Sequence, residues 1–262
     1  MDNSAYLSVR NLAISFTNSK EPTVRDVSFC VNSGETLALV GESGSGKTLI
    51  ADTLMRLRSN VSISGEIILD GQSIPHLSLG ELISLRRHKV SYIFQEPGDA
   101  LNPALTIGYQ LLEIADGAHK KVRTLDALKR VGFTDPKKIF RSYPHELSGG
   151  MRQRAVIAMA LINKPKLLIA DEPTTALDMV LQKQILELIK TLQMELGFAM
   201  LLVTHDFSLL QRMTDRVCVI HRGKIVERGT PKDIIFYPKH AYTQMLNQSI
   251  LTLSEALCSR EM

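Results

Sequence analysis

Eight consecutive residues, Gly41-Glu42-Ser43-Gly44-Ser45-Gly46-Lys47-Thr48, follow the apolar run Thr36–Val40 and precede Ile50, Leu54 and Leu57 at helical spacing. Strand, glycine-rich turn and helix in that order are what a polyphosphate cradle needs. Glycines let successive backbone N–H groups turn toward one cluster of oxygens, a lysine adds a cation beside the outer phosphates, and a threonine hydroxyl can ligate Mg²⁺. Gly41, Ser43, Gly44, Ser45 and Gly46 would line the cradle, with Lys47 at the β and γ phosphates and Thr48 on the metal. A glycine-rich turn without function could carry the same letters. The apolar strand before it and the helix face after it decide for nucleotide binding.

Asp171 and Glu172 follow the apolar run Leu167–Ala170, which puts two carboxylates at the carboxyl end of a buried strand, where open α/β sheets form their binding crevice. Asp171 would hold Mg²⁺ through water, and Glu172 would orient or deprotonate the water that attacks a γ-phosphate. By themselves the two acids read equally well as a solvated pair opening a loop before Pro173; the cradle upstream tips the balance. His205, just after the run Met200–Thr204, could donate a hydrogen bond to a γ-phosphate, although a lone histidine at a strand end is more often structural. Ser148-Gly149-Gly150 precedes Met151, Ala155, Ala158, Met159 and Ile162, which share one helical face. That start is either a second phosphate site or an ordinary serine N-cap.

These residues need a sheet and helices to position them. Thr36–Val40, Lys166–Ala170 and Met200–Thr204 are almost continuously apolar, as in strands buried on both faces, and helical stretches separate them. The core is therefore read as a parallel α/β sheet. Leu7–Val9, Asp26–Val31 and the glycine-bounded Gly65–Gly71 read as strands of a partly exposed sheet. From about Gly98 to Asn163 helical spacing replaces the strand signal, predicting a helical subdomain inserted into the sheet domain. Thr230-Pro231-Lys232-Asp233 offers a cap, a first-turn proline and an acid at the third helical position, so a helix should start there.

The 262 residues are 44% hydrophobic and 22% charged, which excludes a disordered tail, a collagen-like repeat and a disulfide scaffold. A net charge of +4 says little for nucleic-acid binding. No apolar run approaches the roughly 18 to 20 residues that cross a bilayer. The start Met1–Tyr6 has neither a basic n-region nor an apolar core, so no secretory signal and a cytosolic setting are expected. Cys30, Cys218 and Cys258 are widely spaced and read as free thiols rather than a disulfide or zinc framework.

Taken in order, Gly41 to Thr48, Gln95, Leu147-Ser148-Gly149-Gly150-Met151-Arg152-Gln153, Leu167 to Glu172, Ala176-Leu177-Asp178 and His205 resemble an ABC-type ATPase subunit over nearly the whole chain. The resemblance implies a RecA-like phosphate-loop core with an N-terminal antiparallel β subdomain and an inserted helical subdomain at about 98–163. It places the ATPase domain over 1–234 and a helical tail over 235–262. It also implies a head-to-tail dimer in which ATP on Lys47 and Thr48 of one subunit is capped by Ser148, Gly149 and Gly150 of the other. By the same resemblance Gln95 links metal and water to the helical subdomain, Asp178 crosses the dimer interface, His205 senses the γ-phosphate and Phe16 stacks on adenine. Phe16 departs from the commoner tyrosine there and reads equally well as a core phenylalanine.

Phe94-Gln95-Glu96-Pro97, Ala100-Leu101-Asn102-Pro103, Thr106-Ile107-Gly108 and Tyr143 through Arg154 narrow the resemblance to the oligopeptide, dipeptide and nickel importer branch. Pro238-Lys239-His240-Ala241-Tyr242-Thr243 resembles that branch's His-Pro-Tyr-Thr motif, with Ala241 in place of proline. Longer members carry a cysteine-rich end thought to hold an iron–sulfur cluster; with Cys258 alone following, no cluster is expected. The implied protein is a peripheral ATPase at the cytoplasmic face of the membrane, using ATP and Mg²⁺. Its partners would be a second ATPase subunit, either another copy of this chain or a different one, two permeases met through the loop Gln95–Leu101 and, indirectly, a solute-binding protein. Peptides are the favoured cargo and nickel or a metal chelate the second. A phosphate-loop kinase or GTPase would have no need of Ser148-Gly149-Gly150. A non-transport scaffold acting on DNA or ribosomes would normally add a coiled coil or a second cassette.

Overall fold

The computed structural model describes residues 5–19, 21–175 and 177–248. They divide into two compact units, one formed by residues up to His76 together with those from Leu201 on, the other by Leu77–Met200. The first unit opens with β1 (Ala5–Phe16), β2 (Val24–Asn32), β3 (Thr36–Val40), α1 (Lys47–Leu54), β4 (Val61–Leu69) and β5 (Gln72–Ser73). The second runs through α2 (Leu79–His88), β6 (Val90–Ile93), α3 (Pro97–Ala100), α4 (Ile107–Ile114), α5 (Lys120–Arg130), α6 (Pro136–Arg141), α7 (Gly149–Leu161), β7 (Leu167–Asp171) and α8 (Met179–Leu196). The division falls within β8 (Ala199–Thr204). The first unit then resumes with α9 (Leu210–Met213), β9 (Arg216–His221), β10 (Lys224–Gly229), α10 (Pro231–Phe236) and helical residues 241–248.

In the first unit, β2-β1-β4-β5 form an antiparallel sheet in which Leu7, Val9, Leu12 and Ile14 of β1 are buried while their neighbours are not. The alternation slips at Asn11, whose backbone is left-handed, and Gly65 of β4 lies against that irregularity; a Cβ there would sit 2.4 Å from the Asn11 carbonyl oxygen. The other strands of this unit run β10-β9-β3-β8, with β3 parallel to β9 and β10 antiparallel to it. Every residue of β3 is buried, which explains why all but Thr36 are apolar. Leu37, Leu39 and Val40 each contribute about 1.5–3 kcal/mol when withdrawn from water. Cys30 and Cys218 are free thiols, and burial pushes the Cys218 thiol up to about 11. Cys258 lies outside the described residues.

In the second unit β6 and β7 pair in parallel, Val90 with Leu167 through Ile93 with Ala170. Among the described residues between them the regular elements are helical, as the spacing predicts. α7 begins at Gly149, two residues before the apolar periodicity does, because the Ser148 hydroxyl accepts a hydrogen bond from Met151 N and lets both glycines join the first turn. α8 buries Ile185, Ile189 and Leu192 on one face and stops at Gly197, which takes the left-handed conformation of a C-cap. The helix expected at Thr230 is present: Asp233 N donates to Thr230 Oγ1 at 3.2 Å and Thr230 N donates to Asp233 Oδ2 at 2.9 Å. No helix among the described residues is long and apolar enough to cross a membrane.

Candidate active site

In the first unit the chain leaves β3 at Gly41, where a Cβ would lie 2.1 Å from the Ile220 carbonyl oxygen, so only glycine can follow this path. Gly44 and Gly46 both have positive φ, and Gly46 is the N-cap of α1 with no side-chain cap of its own. The loop thus enters a helix start that a ligand oxygen can serve. Lys47 is 4% exposed, and its ammonium donates to the carbonyl oxygens of Gly41 at 2.8 Å and Glu42 at 2.9 Å. The Ser45 hydroxyl is buried without a hydrogen-bond partner. A buried ammonium and an orphaned hydroxyl in a glycine-rich turn fit a polyphosphate. Ser43 is exposed on the same loop and Thr48 in the first turn of α1, Phe16 is half-buried at the end of β1, and His205 is exposed directly after β8.

The loop is braced by the β9–β10 turn, for Gly223 N donates to Ser45 O at 3.0 Å and Gly223 O accepts from Arg25 N at 2.8 Å. Gly223 has φ +75° and a Cβ on it would lie 1.9 Å from the Thr23 carbonyl oxygen. Gly223→Ala is therefore expected to destabilise the fold by at least about 2 kcal/mol. Thermal unfolding checks this, with a drop in Tm of roughly 5 °C or more expected.

In the second unit β7 delivers Asp171, 3% exposed, whose Oδ2 accepts a hydrogen bond from the Tyr92 hydroxyl on β6 at 3.1 Å. The next residue, Glu172, has φ +45°, a left-handed conformation rare for a side-chain-bearing residue and costly by about 1–2 kcal/mol. It turns the chain out of the strand, so the two acids do not alternate as strand neighbours would. Glu172 Oε2 accepts from Thr175 Oγ1 at 2.8 Å and from Gln95 Nε2 at 3.1 Å. Gln95, placed near the reacting water by resemblance alone, is thus brought to the acid itself. Gln153, fully buried on α7, donates to Pro173 O at 2.6 Å and ties that helix to the same loop. Spacing and motif assign no role to Tyr92, Thr175 or Gln153. Thr175 is legible as a hydroxyl three residues beyond Glu172; Tyr92 carries no local signal.

Ser148 and Asp178 both serve as caps within the chain. Ser148 caps α7, and Asp178 Oδ1 accepts from Val180 N at 3.0 Å and Leu181 N at 2.9 Å at the start of α8. Gly150 is packed against Leu181, where a Cβ would come within 3.2 Å of a methyl carbon, whereas a Cβ on Gly149 would meet Leu177 at 3.6 Å, an ordinary contact. Ala176 lies outside the described residues. Met179 and Val180, beside Asp178, are largely exposed. Among the described residues no three His, Cys, Asp or Glu side chains are grouped to hold a metal, so a cation here would take most of its ligands from phosphate and water, as Mg²⁺ does.

The loop of the first unit fits a polyphosphate, and the second unit presents a carboxylate held by Gln95 and Thr175. Residues 24–175 match the ABC transporter family. The chain is 47% identical over 251 residues to the peptidoglycan transport ATP-binding protein YejF of Agrobacterium fabrum, spanning 92% of this chain and 46% of that one, so it covers about half of that relative. It is 46% identical over 256 residues to the dipeptide transport ATP-binding protein DppD of Bacillus subtilis, spanning 93% and 76%. Its fold is similar to the dimeric ATP-binding cassette MJ0796 bound to ADP and Pi in a post-hydrolysis state, with a TM-score of 0.74, 28% identity, and 86% and 98% of the two chains covered. With this geometry and these likenesses, the chain belongs to the ABC transporter family, as one of its ATP-binding, ATP-hydrolysing cassettes.

Proposed function

We propose that this chain is the energy-coupling subunit of a peptide importer, acting in a head-to-tail pair of cassettes at the cytoplasmic face of a membrane. The observation that carries the hydrolytic half is Glu172, held in a left-handed turn with Gln95 and Thr175 on one carboxylate oxygen. The importer half rests on the likeness to a dipeptide transport subunit, which favours peptides as cargo.

Lys47 and the loop from Gly41 to Gly46, with the Ser45 hydroxyl, take the phosphates of ATP, and Phe16 stacks on adenine. Thr48, Asp171 and Gln95 would hold Mg²⁺, which neutralises charge on the β and γ phosphates when bound. Glu172 takes the proton of the water that attacks the γ-phosphorus in line, ADP leaves as that P–O bond breaks, and His205 hydrogen-bonds the released phosphate. Ser148, Gly149 and Gly150 of one subunit close over the γ-phosphate of the other, with Asp178 at the interface. Contacts made only in the closed pair give ATP differential affinity for that state and shift the population toward it. The helical subdomain at 98–163 passes the motion to two permeases through Gln95–Leu101, and a solute-binding protein delivers the peptide. The cassette spans 1–234, with 235–262 as its tail.

The test is Glu172→Gln with ATP and Mg²⁺, which should convert the full chain from monomer to dimer in light scattering. Adding Ser148→Ala should return it to monomer while changing nucleotide affinity by less than about threefold, because loss of one hydroxyl contact is worth about 1 kcal/mol in the pair alone. Equal loss of binding and dimerisation would refute the shared site. Cells of the native host carrying Glu172→Gln should lose uptake of labelled dipeptide; normal uptake would refute the peptide importer.

A further inference from the structure

Helical residues 241–248 carry a contact that none of the roles above uses. The Tyr242 hydroxyl accepts a hydrogen bond from Glu42 N at 3.0 Å, joining the C-terminal segment to the phosphate loop across 200 residues of sequence. Tyr242 is buried among Ala38 and Val40 of β3, Val217 and Val219 of β9, and Ile234 of α10. Its ring lies on His221, with centroids 3.8 Å apart. The segment is anchored on both sides of this tyrosine. The Glu227 carboxylate accepts from Lys239 N at 2.8 Å and His240 N at 3.1 Å, and Asn247 Nδ2 donates to Ile234 O at 2.7 Å and Ile235 O at 3.0 Å.

The amide that Tyr242 receives belongs to the Gly41–Glu42 peptide, and the carbonyl oxygen of that same peptide accepts the Lys47 ammonium at 2.8 Å. A peptide unit is planar, so fixing the direction of its N–H fixes that of its C=O. Gly41 cannot do this alone, because glycine has the widest backbone freedom and here sits at φ +157°. Burial, offset in part by the hydrogen bond from Glu42 N, pushes the Tyr242 phenol above its usual range, so the group stays a neutral hydroxyl.

We propose that Tyr242 is a positioning residue for nucleotide binding: by holding the Gly41–Glu42 peptide it aims the Lys47 ammonium at the phosphates, and so places ATP affinity under the control of the C-terminal segment. This rests on the reading of the phosphate loop as the ATP site. It assigns the tail motif around Tyr242 a task in the ATPase itself rather than in cargo or permease contact. Loss of one buried hydroxyl acceptor should weaken ATP about threefold to tenfold.

The experiment compares the full chain with Tyr242→Phe, which keeps the ring on His221 and in the core and removes only the oxygen. Dissociation constants come from titration with MgATP, steady-state parameters from phosphate release, and exchange of the Glu42 amide from hydrogen–deuterium measurements. The expected result is the weakened MgATP affinity, KM raised in step, kcat within about twofold as for a loss of uniform binding, and faster exchange at Glu42. In a Lys47→Ala background Tyr242→Phe should weaken MgATP no further, since no ammonium remains to be aimed. Glu227→Ala, which loosens the segment without touching the tyrosine, should shift affinity in the same direction. Unchanged affinity in Tyr242→Phe, even with a lower melting temperature, would overturn the proposal and leave Tyr242 a packing residue. Additive losses in the Lys47→Ala background would overturn it as well. If Lys47→Ala alone left MgATP affinity unaltered, the ATP reading of the loop would fail; if Lys47→Ala weakened it and Tyr242→Phe did not, only the role of the tail would.

Discussion

Glu172→Gln is expected to slow phosphate release by about a hundredfold to ten-thousandfold, the range for losing a positioned general base, while MgATP affinity stays within about twofold because the substitution spares the cradle. The variant is close to isosteric. A glutamine carbonyl can still accept from Thr175 Oγ1 and Gln95 Nε2, the two donors now on Glu172 Oε2, so the turn after β7 should keep its shape. What disappears is the ability to take a proton. Single-turnover phosphate release read beside a nucleotide titration separates the two effects. Turnover near that of the parent chain would move the base elsewhere, and a parallel collapse of binding would show that Glu172 supports the fold of the site rather than its chemistry.

Lys47→Ala should act on the other half of the cycle. The ammonium is buried and shared between two loop carbonyls, so its charge is little screened by solvent. Charge-assisted hydrogen bonds to phosphate are worth about 1.5–3 kcal/mol each, which corresponds to a loss of roughly tenfold to more than a hundredfold in MgATP affinity. Equilibrium titration checks this, with the melting temperature of the nucleotide-free chain as control. A loss of affinity below about twofold would remove Lys47 from the phosphate site, since one such bond alone is worth more. Gly223→Ala differs from both, because it strains the turn that braces Ser45 O and should lower stability before it lowers binding.

Much of the site is legible in the sequence because it is local. The phosphate loop occupies eight successive residues between one strand and one helix, and Asp171-Glu172 closes a strand whose five residues are all buried. Covalent connectivity keeps such groups near one another, so their spacing, read with the strand before and the helix after, points to the chemistry. Ser148 and Asp178 are legible to the same depth, as polar residues before helices, and the structure shows each of them as a cap. The task proposed for them in a second subunit has no local signature and comes from family resemblance alone.

What the sequence by itself determined is the phosphate loop, the acidic pair, the α/β pattern of buried strands and helices, and the starts of α7 and α10, all set by periodicity, spacing and capping residues along one stretch of chain. The tertiary structure decided the rest: that Gln95 and Thr175 meet on Glu172, that Tyr92 reaches Asp171, that Glu172 leaves β7 in a left-handed turn, and that Tyr242 holds the peptide carrying the Lys47 contact. The tyrosine and glutamine contacts join residues 77 to 200 positions apart. No local propensity encodes such meetings, because packing of strands and helices against one another brings the distant side chains within hydrogen-bond reach.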